Sequence, residues 1–161
     1  MNGAPSSSDV YRLSDRGISI SYAWAVEKAL KQLGVTRAVL RLHPVERLEW
    51  YTRYVDMEFY TLDTRNLGDS LRQSSLVIGP TSTVSMDAAS NGIPYFCFEQ
   101  EMKYSSPLVP PFDGSEKDFP IALTVDELIN NLKNGRCMQP SVFKKYIADN
   151  FDLNGLISVI K

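Results

Sequence analysis

The stretch SLVIGPTSTVSMDAASNGIPYFCF, Ser75 to Phe98, decides how the rest of the chain is read. SLVI, Ser75 to Ile78, is an apolar run without alternation, as expected of a strand covered on both faces. It leads into Gly79-Pro80-Thr81-Ser82-Thr83, and a helix is expected from about Thr83 to Ser90. Asn91-Gly92, with Pro94 just beyond, supplies the stop signal. Tyr95 to Phe98 is then a further strand.

The same alternation of short apolar runs and amphipathic segments extends in both directions. Upstream, Ala4 to Asp9 is rich in Pro and Ser and reads as a loop. A helix is expected from about Ile18 to Leu33, with Ala23, Val26, Leu30 and Leu33 at helical spacing and Gly34 as its C′ residue. AVLRL, Ala38 to Leu42, is a strand stopped by His43-Pro44. A helix over Glu46 to Tyr54, a strand over Met57 to Leu62 and a short helix over Leu67 to Gln73 follow. Downstream, Ser105 to Ser115 is a proline-rich loop and FPIAL, Phe119 to Leu123, a last strand. Thr124 and Glu127 form a capping box ahead of a helix that buries Val125, Leu128, Ile129 and Leu132. Helices over Val142 to Asp149 and Leu153 to Val159 close the chain. The expectation is one α/β domain over residues 1–161, a Rossmann-like doubly wound parallel sheet of about five strands with helices on both faces.

Composition narrows the function. The formal net charge is −2, so the basic stripe that nucleic-acid binding requires is missing. Apolar runs are far shorter than a transmembrane segment, and the first residues lack the pattern of a signal peptide. The two cysteines, Cys97 and Cys137, stand apart from each other and from the single histidine, which argues against a zinc site. Cys97, inside PYFCF, reads as a small buried residue. A cytoplasmic protein without a metal is expected.

In a doubly wound sheet, ligands bind beyond the carboxyl ends of the strands. Two segments stand there. His43, followed by Pro44, closes the AVLRL strand, and an imidazole at that place can donate to a phosphate oxygen or take a proton. The plainer alternative is a histidine that caps a strand end. Gly79, Pro80, Thr81, Ser82 and Thr83 form the turn between a buried strand and a helix, where unpaired amides favour phosphate oxygens. The plainer alternative there is N-capping, for which one hydroxyl suffices. Each segment closes a central strand, so the two are expected to converge on one crevice as a phosphate clamp that also steadies charge on a leaving nucleotide. Glu99 and Gln100 end the next strand and could touch a ribose or base; Asp87 is expected to face water. Ser6 to Ser8 form another hydroxyl-rich stretch. No G-x-G-x-x-G and no Walker A lysine motif occurs.

The strand-end His43-Pro44 and the downstream Ser82-Thr83 pair resemble the motifs of bacterial GT-B-fold glycosyltransferases of capsule and lipopolysaccharide synthesis. The likeness is greatest to the bacterial sialyltransferases and polysialyltransferases, and it covers roughly Ser19 to Glu99. The resemblance implies that His43 and the Ser82-Thr83 pair hold the phosphate of a CMP-sugar donor, and that His43 assists the departing CMP as donor or acid. It further implies an inverting, metal-independent transferase whose acidic general base sits in an N-terminal acceptor domain. Phe112-Asp113-Gly114 lies after both motifs, so the base is not carried over to Asp113. The expectation is a C-terminal, nucleotide-sugar-binding half of a longer enzyme, inactive alone and at most peripheral to the inner membrane. A UDP-sugar epimerase or CDP-glycerol-type transferase domain, and a non-catalytic α/β binding domain, remain alternatives.

Overall fold

The computed structural model describes residues 16–43, 46–100 and 116–145. The elements are α1 (Arg16–Gln32), β1 (Ala38–Arg41), α2 (Leu48–Tyr54), β2 (Tyr60–Asp63), α3 (Leu67–Arg72), β3 (Val77–Gly79), α4 (Val84–Ser90), β4 (Tyr95–Phe98), β5 (Ile121–Ala122), α5 (Val125–Lys133) and a closing 3-10 turn, Pro140–Lys145. The chain is α/β, and each strand ladder among the described residues is parallel.

Among the described residues the strands form two hydrogen-bonded sheets, where a single sheet was expected. β1 pairs with β2, from Ala38 opposite Tyr60 to Arg41 opposite Asp63. β3, β4 and β5 form the other, with Val77 opposite Tyr95 and Cys97 opposite Ile121. The reason is distance: the Cα traces of β1 and β3 run mostly more than 8 Å apart, whereas a ladder needs about 4.8 Å.

β4 is the centre of the packing, because all four of its residues are buried. Its side chains alternate between two apolar clusters, as the period of a strand requires. Phe96 and Phe98 join Ile20, Ala23, Val26 and Ala29 of α1 and Leu128 of α5. Tyr95 and Cys97 join Leu71 of α3, Ala88 of α4, Phe119, Met138 and Val142. Helices therefore cover both faces of β4. Phe59 and Tyr60 bring the β1–β2 sheet into the first cluster.

Helix ends follow the sequence signals closely. Gly34 has φ 79°, its amide donates to Lys31 O, and the Val35 amide reaches back to Leu30 O. This Schellman ending closes α1 at Gln32, with Gly34 as C′. Gly92 (φ 68°) ends α4 in the same way, through Ile93 N–H to Ala88 O. Elsewhere polar side chains move the boundaries. Glu46 is drawn into the turn after His43, so α2 starts at Leu48. The Asp56 carboxylate accepts from the amides of Glu58 and Phe59, which holds a turn there and delays β2 to Tyr60. The Thr124 hydroxyl accepts from Glu127 N–H as expected, but the Glu127 carboxylate accepts from Leu123 N–H instead of Thr124 N–H. Residues 140–145 form a 3-10 turn where the start of an α-helix was expected. The loop over 4–9, the hydroxyl stretch 6–8, the loop over 105–115 with Asp113, and the helix over 153–159 lie outside the described residues.

The Arg65 guanidinium grips Asp63 through Nε to Oδ1 and a second nitrogen to Oδ2, each 2.8 Å. The Asp63 side chain is only 3% exposed. Arg65 holds this carboxyl well below the ordinary range, so its contribution is present above about pH 4 and is lost as pH falls through the lowered value. Thermal melts of Asp63→Asn should show a lower Tm than the parent at pH 7, and the gap should close towards pH 2. Thr124→Ala should cost about 1 kcal/mol in urea unfolding through loss of the α5 cap.

Candidate functional site

The site is built from the segments that follow β1, β3 and β4, gathered at the start of α1. β3 ends at Gly79, whose lack of a side chain lets the Tyr95 ring cross directly over it. A Cβ on Gly79 would collide with the Tyr95 hydroxyl and lie 2.9 Å from ring carbon Cζ. The Tyr95 hydroxyl donates to the Pro80 carbonyl at 2.5 Å and lies 3.5 Å from the Ser82 hydroxyl. Burial pushes its pKa up, so it acts as a neutral donor that fixes the Gly79–Thr83 turn from beneath.

The residues of this turn are held in different ways. The Thr81 amide donates to Glu99 Oε1 at 2.7 Å, and the Thr81 hydroxyl donates to the same oxygen. The Ser82 carbonyl accepts from the Ser85 hydroxyl, 2.6 Å, and amide, 3.1 Å. Thr83 is the N-cap residue of α4, yet its side chain makes no capping bond. Capping, the plainer explanation for three hydroxyls, is not how Thr83 is used. Thr81 instead presents two donors to one carboxylate oxygen. Sequence reasoning undervalued Glu99, which it placed at the end of β4 without linking it to the turn. It did not single out Tyr95, whose signal was its place as the first residue of a fully buried strand three residues beyond Gly92.

His43 lies two residues past β1 and is exposed; Pro44 is outside the described residues. The loop is closed by Glu46. The His43 amide donates to Glu46 Oε2 at 2.8 Å, and the Glu46 amide donates back to the His43 carbonyl at 2.9 Å. The Tyr51 hydroxyl donates to Glu46 Oε1 at 2.6 Å. Burial first, then Glu46, pushes the Tyr51 hydroxyl upward in pKa. The imidazole thus stands on a braced loop.

The first turns of α1 connect the two segments. Ser19 hydrogen-bonds Tyr51 on the His43 side, and the Ser21 hydroxyl donates to Gln100 Oε1 at 2.9 Å on the Glu99 side. His43 and the Thr81 turn accordingly lie at the same end of the fold, on either side of the start of α1. Each makes its hydrogen bonds to its own set of partners. Arg41, at the end of β1, directs its guanidinium to Ser70 and the Arg65 carbonyl of the α3 region. Cys97 is 1% exposed and burial pushes its thiol up, in keeping with a packing residue. Among the described residues no group of three or more His, Cys, Asp or Glu could hold a metal ion, and no helix is long and apolar enough to cross a membrane.

Compared with protein-family models, with curated proteins and with solved structures, the chain matches none.

Gly79→Ala should destabilise by about 1–3 kcal/mol through overpacking against Tyr95. Tyr95→Phe removes the nearest colliding atom, so the double variant should lose less than the sum of the single variants. Equilibrium unfolding of the four proteins measures this coupling.

Proposed function

We propose that this chain is the nucleotide-sugar-binding domain of a GT-B-like glycosyltransferase of surface-polysaccharide synthesis, with a CMP-sugar as donor. In this reading the two parallel sheets are flanks of one doubly wound sheet, and the ligand crosses its carboxyl end between His43 and the Thr81 turn. The observation that carries the reading is that Thr81 offers an amide and a hydroxyl to a single anionic oxygen. A donor pair that holds a carboxylate is equally suited to a phosphate oxygen. Gly79 and Pro80 shape the turn, Ser82 and Thr83 supply further hydroxyls, and His43 faces the leaving phosphate from the β1 side. Stabilisation of the charge on departing CMP then comes from neutral donors. The general base and the acceptor contacts belong to a second domain, so this domain binds the donor and catalyses nothing by itself.

The same contact also favours a second reading. Glu99 fills both Thr81 donors, as it would in a non-catalytic α/β domain where the bond only ties β3 to β4. Calorimetric titration with CMP, CDP, UDP and GDP separates the two. CMP should bind best, and His43→Ala or the double change Ser82→Ala/Thr83→Ala should weaken it about 10- to 100-fold, the worth of a hydrogen bond to a charged group. Glu99→Gln should tighten CMP binding roughly fivefold, because it removes a like charge beside the phosphate. A stronger response to UDP at the same residues would transfer the reading to a UDP-sugar enzyme. Absence of binding by every nucleotide and every variant would leave the structural role of Glu99.

A further inference from the structure

Two polar residues follow β4, and their side chains go opposite ways. The Glu99 amide donates to the Ala122 carbonyl of β5 at 2.8 Å, so the backbone is still held in the sheet one residue past Phe98. Successive side chains of an extended chain point to opposite faces. Glu99 turns to the Thr81 amide and hydroxyl. Gln100 turns to α1, where its Oε1 accepts from the Ser21 hydroxyl at 2.9 Å.

The bond to Ser21 gives the Gln100 carboxamide a fixed polarity. A carboxamide has an acceptor at one end and two donors at the other, and half a turn exchanges them. Ser21 stands on a well-supported part of α1. Its neighbour Tyr22 packs on Phe98 with ring centroids 5.2 Å apart, and Ile20 and Ala23 are buried in the same cluster as Phe98. The hydroxyl that holds Oε1 therefore has little freedom, and the Nε2 end of Gln100 is the one turned to a ligand. The bond is part-buried, and a mismatched polar group costs more there than in open water.

Two donors on one nitrogen suit one pyrimidine better than the other. The Watson–Crick edge of cytosine carries two neighbouring acceptors, N3 and O2. Uracil places an N3–H donor between its two carbonyls, so an N–H aimed at N3 meets another N–H. A site that reads hydrogen-bonding groups rejects the analogue that leaves one unpaired. The amide also lies in the right relation to the turn. Glu99 marks the phosphate seat and Gln100 is the next residue, so a single mononucleotide reaches from one to the other through its ribose.

We infer that Gln100, with its amide oriented by Ser21, reads the cytosine base of the nucleotide whose phosphate lies at the Thr81 turn. This rests on the nucleotide reading of that turn and adds the source of its CMP preference. Gln100 touches the base, and Ser21 is a positioning residue that acts through it.

Titration of the 161-residue chain with CMP, UMP and ribose 5-phosphate, followed by 1H–15N NMR, tests the two layers separately. The Thr81 amide reports the phosphate, and the Gln100 side-chain N–H2 reports the base. All three ligands should shift Thr81, and only CMP should shift the Gln100 N–H2 strongly. CMP should bind about tenfold tighter than UMP, the worth of one matched hydrogen bond. Gln100→Ala should weaken CMP about tenfold and leave UMP and ribose 5-phosphate within about twofold. Ser21→Ala lets the amide turn its oxygen to the uracil N3–H, so the CMP-to-UMP ratio should narrow to about twofold. Equal affinity for CMP and UMP with Thr81 shifted by both would overturn the base assignment and leave the phosphate seat standing. An equal loss of all three ligands in Gln100→Ala, or an unchanged ratio in Ser21→Ala, overturns it as well. If no ligand moves Thr81, the nucleotide reading fails and the base assignment fails with it.

Discussion

The crossing of Tyr95 over Gly79 is the contact on which the candidate site depends. β4 is buried on both faces, so its first residue has little freedom to move. Its ring lies where any side chain on Gly79 would stand, and its hydroxyl ends on the Pro80 carbonyl. The turn that follows β3 is thereby fixed from below by the core itself. Thr81 can then present an amide and a hydroxyl in one direction without a side-chain cap from Thr83. A site placed in this way draws its geometry from packing, which is more rigid than a loop held only by its own hydrogen bonds.

α1 plays the corresponding part on the other side. Its apolar stripe, Ile20, Ala23, Val26 and Leu30, packs into the cluster that contains residues of both sheets. Its polar first turns reach Tyr51 and Gln100 at the two loops. One helix thus joins the sheets mechanically and sets the relation of His43 to the Thr81 turn. The Arg41–Ser70 bond ties β1 to α3, and the Arg65–Asp63 fork holds the loop after β2.

Much of this was legible in the sequence because it rests on local signals. Apolar SLVI and PYFCF marked strands, Gly34 and Asn91-Gly92 marked helix ends, and Thr124 with Glu127 marked a helix start. Boundaries shifted where a side chain competed for backbone amides, as Asp56 and Glu46 do, since that competition depends on geometry that no residue pattern encodes. Which strands pair among the described residues was not legible either, because strand runs do not state which neighbour lies across each edge. For the candidate site, the turn and His43 stood out in the sequence by their places after strands. Glu99 as the partner of Thr81, and Tyr95 as the support beneath, are long-range contacts between β3 and β4 and only the fold brings them together.

The Thr81 amide is the most direct reporter of the central claim, that this turn is an anion-binding site opened to a nucleotide phosphate. Its proton is now held by Glu99, and replacement of that partner by a phosphate must move its resonance. During a titration with CMP followed by 1H–15N NMR, the account predicts saturable shifts at Thr81, Ser82 and Thr83 together with His43. It also predicts little change at the opposite end of the strands, around the open hollow of about 670 Å³ lined by Lys31, Arg37, Asp56 and Glu58. Saturable shifts confined to that opposite hollow, with the Thr81 amide unmoved, would contradict it.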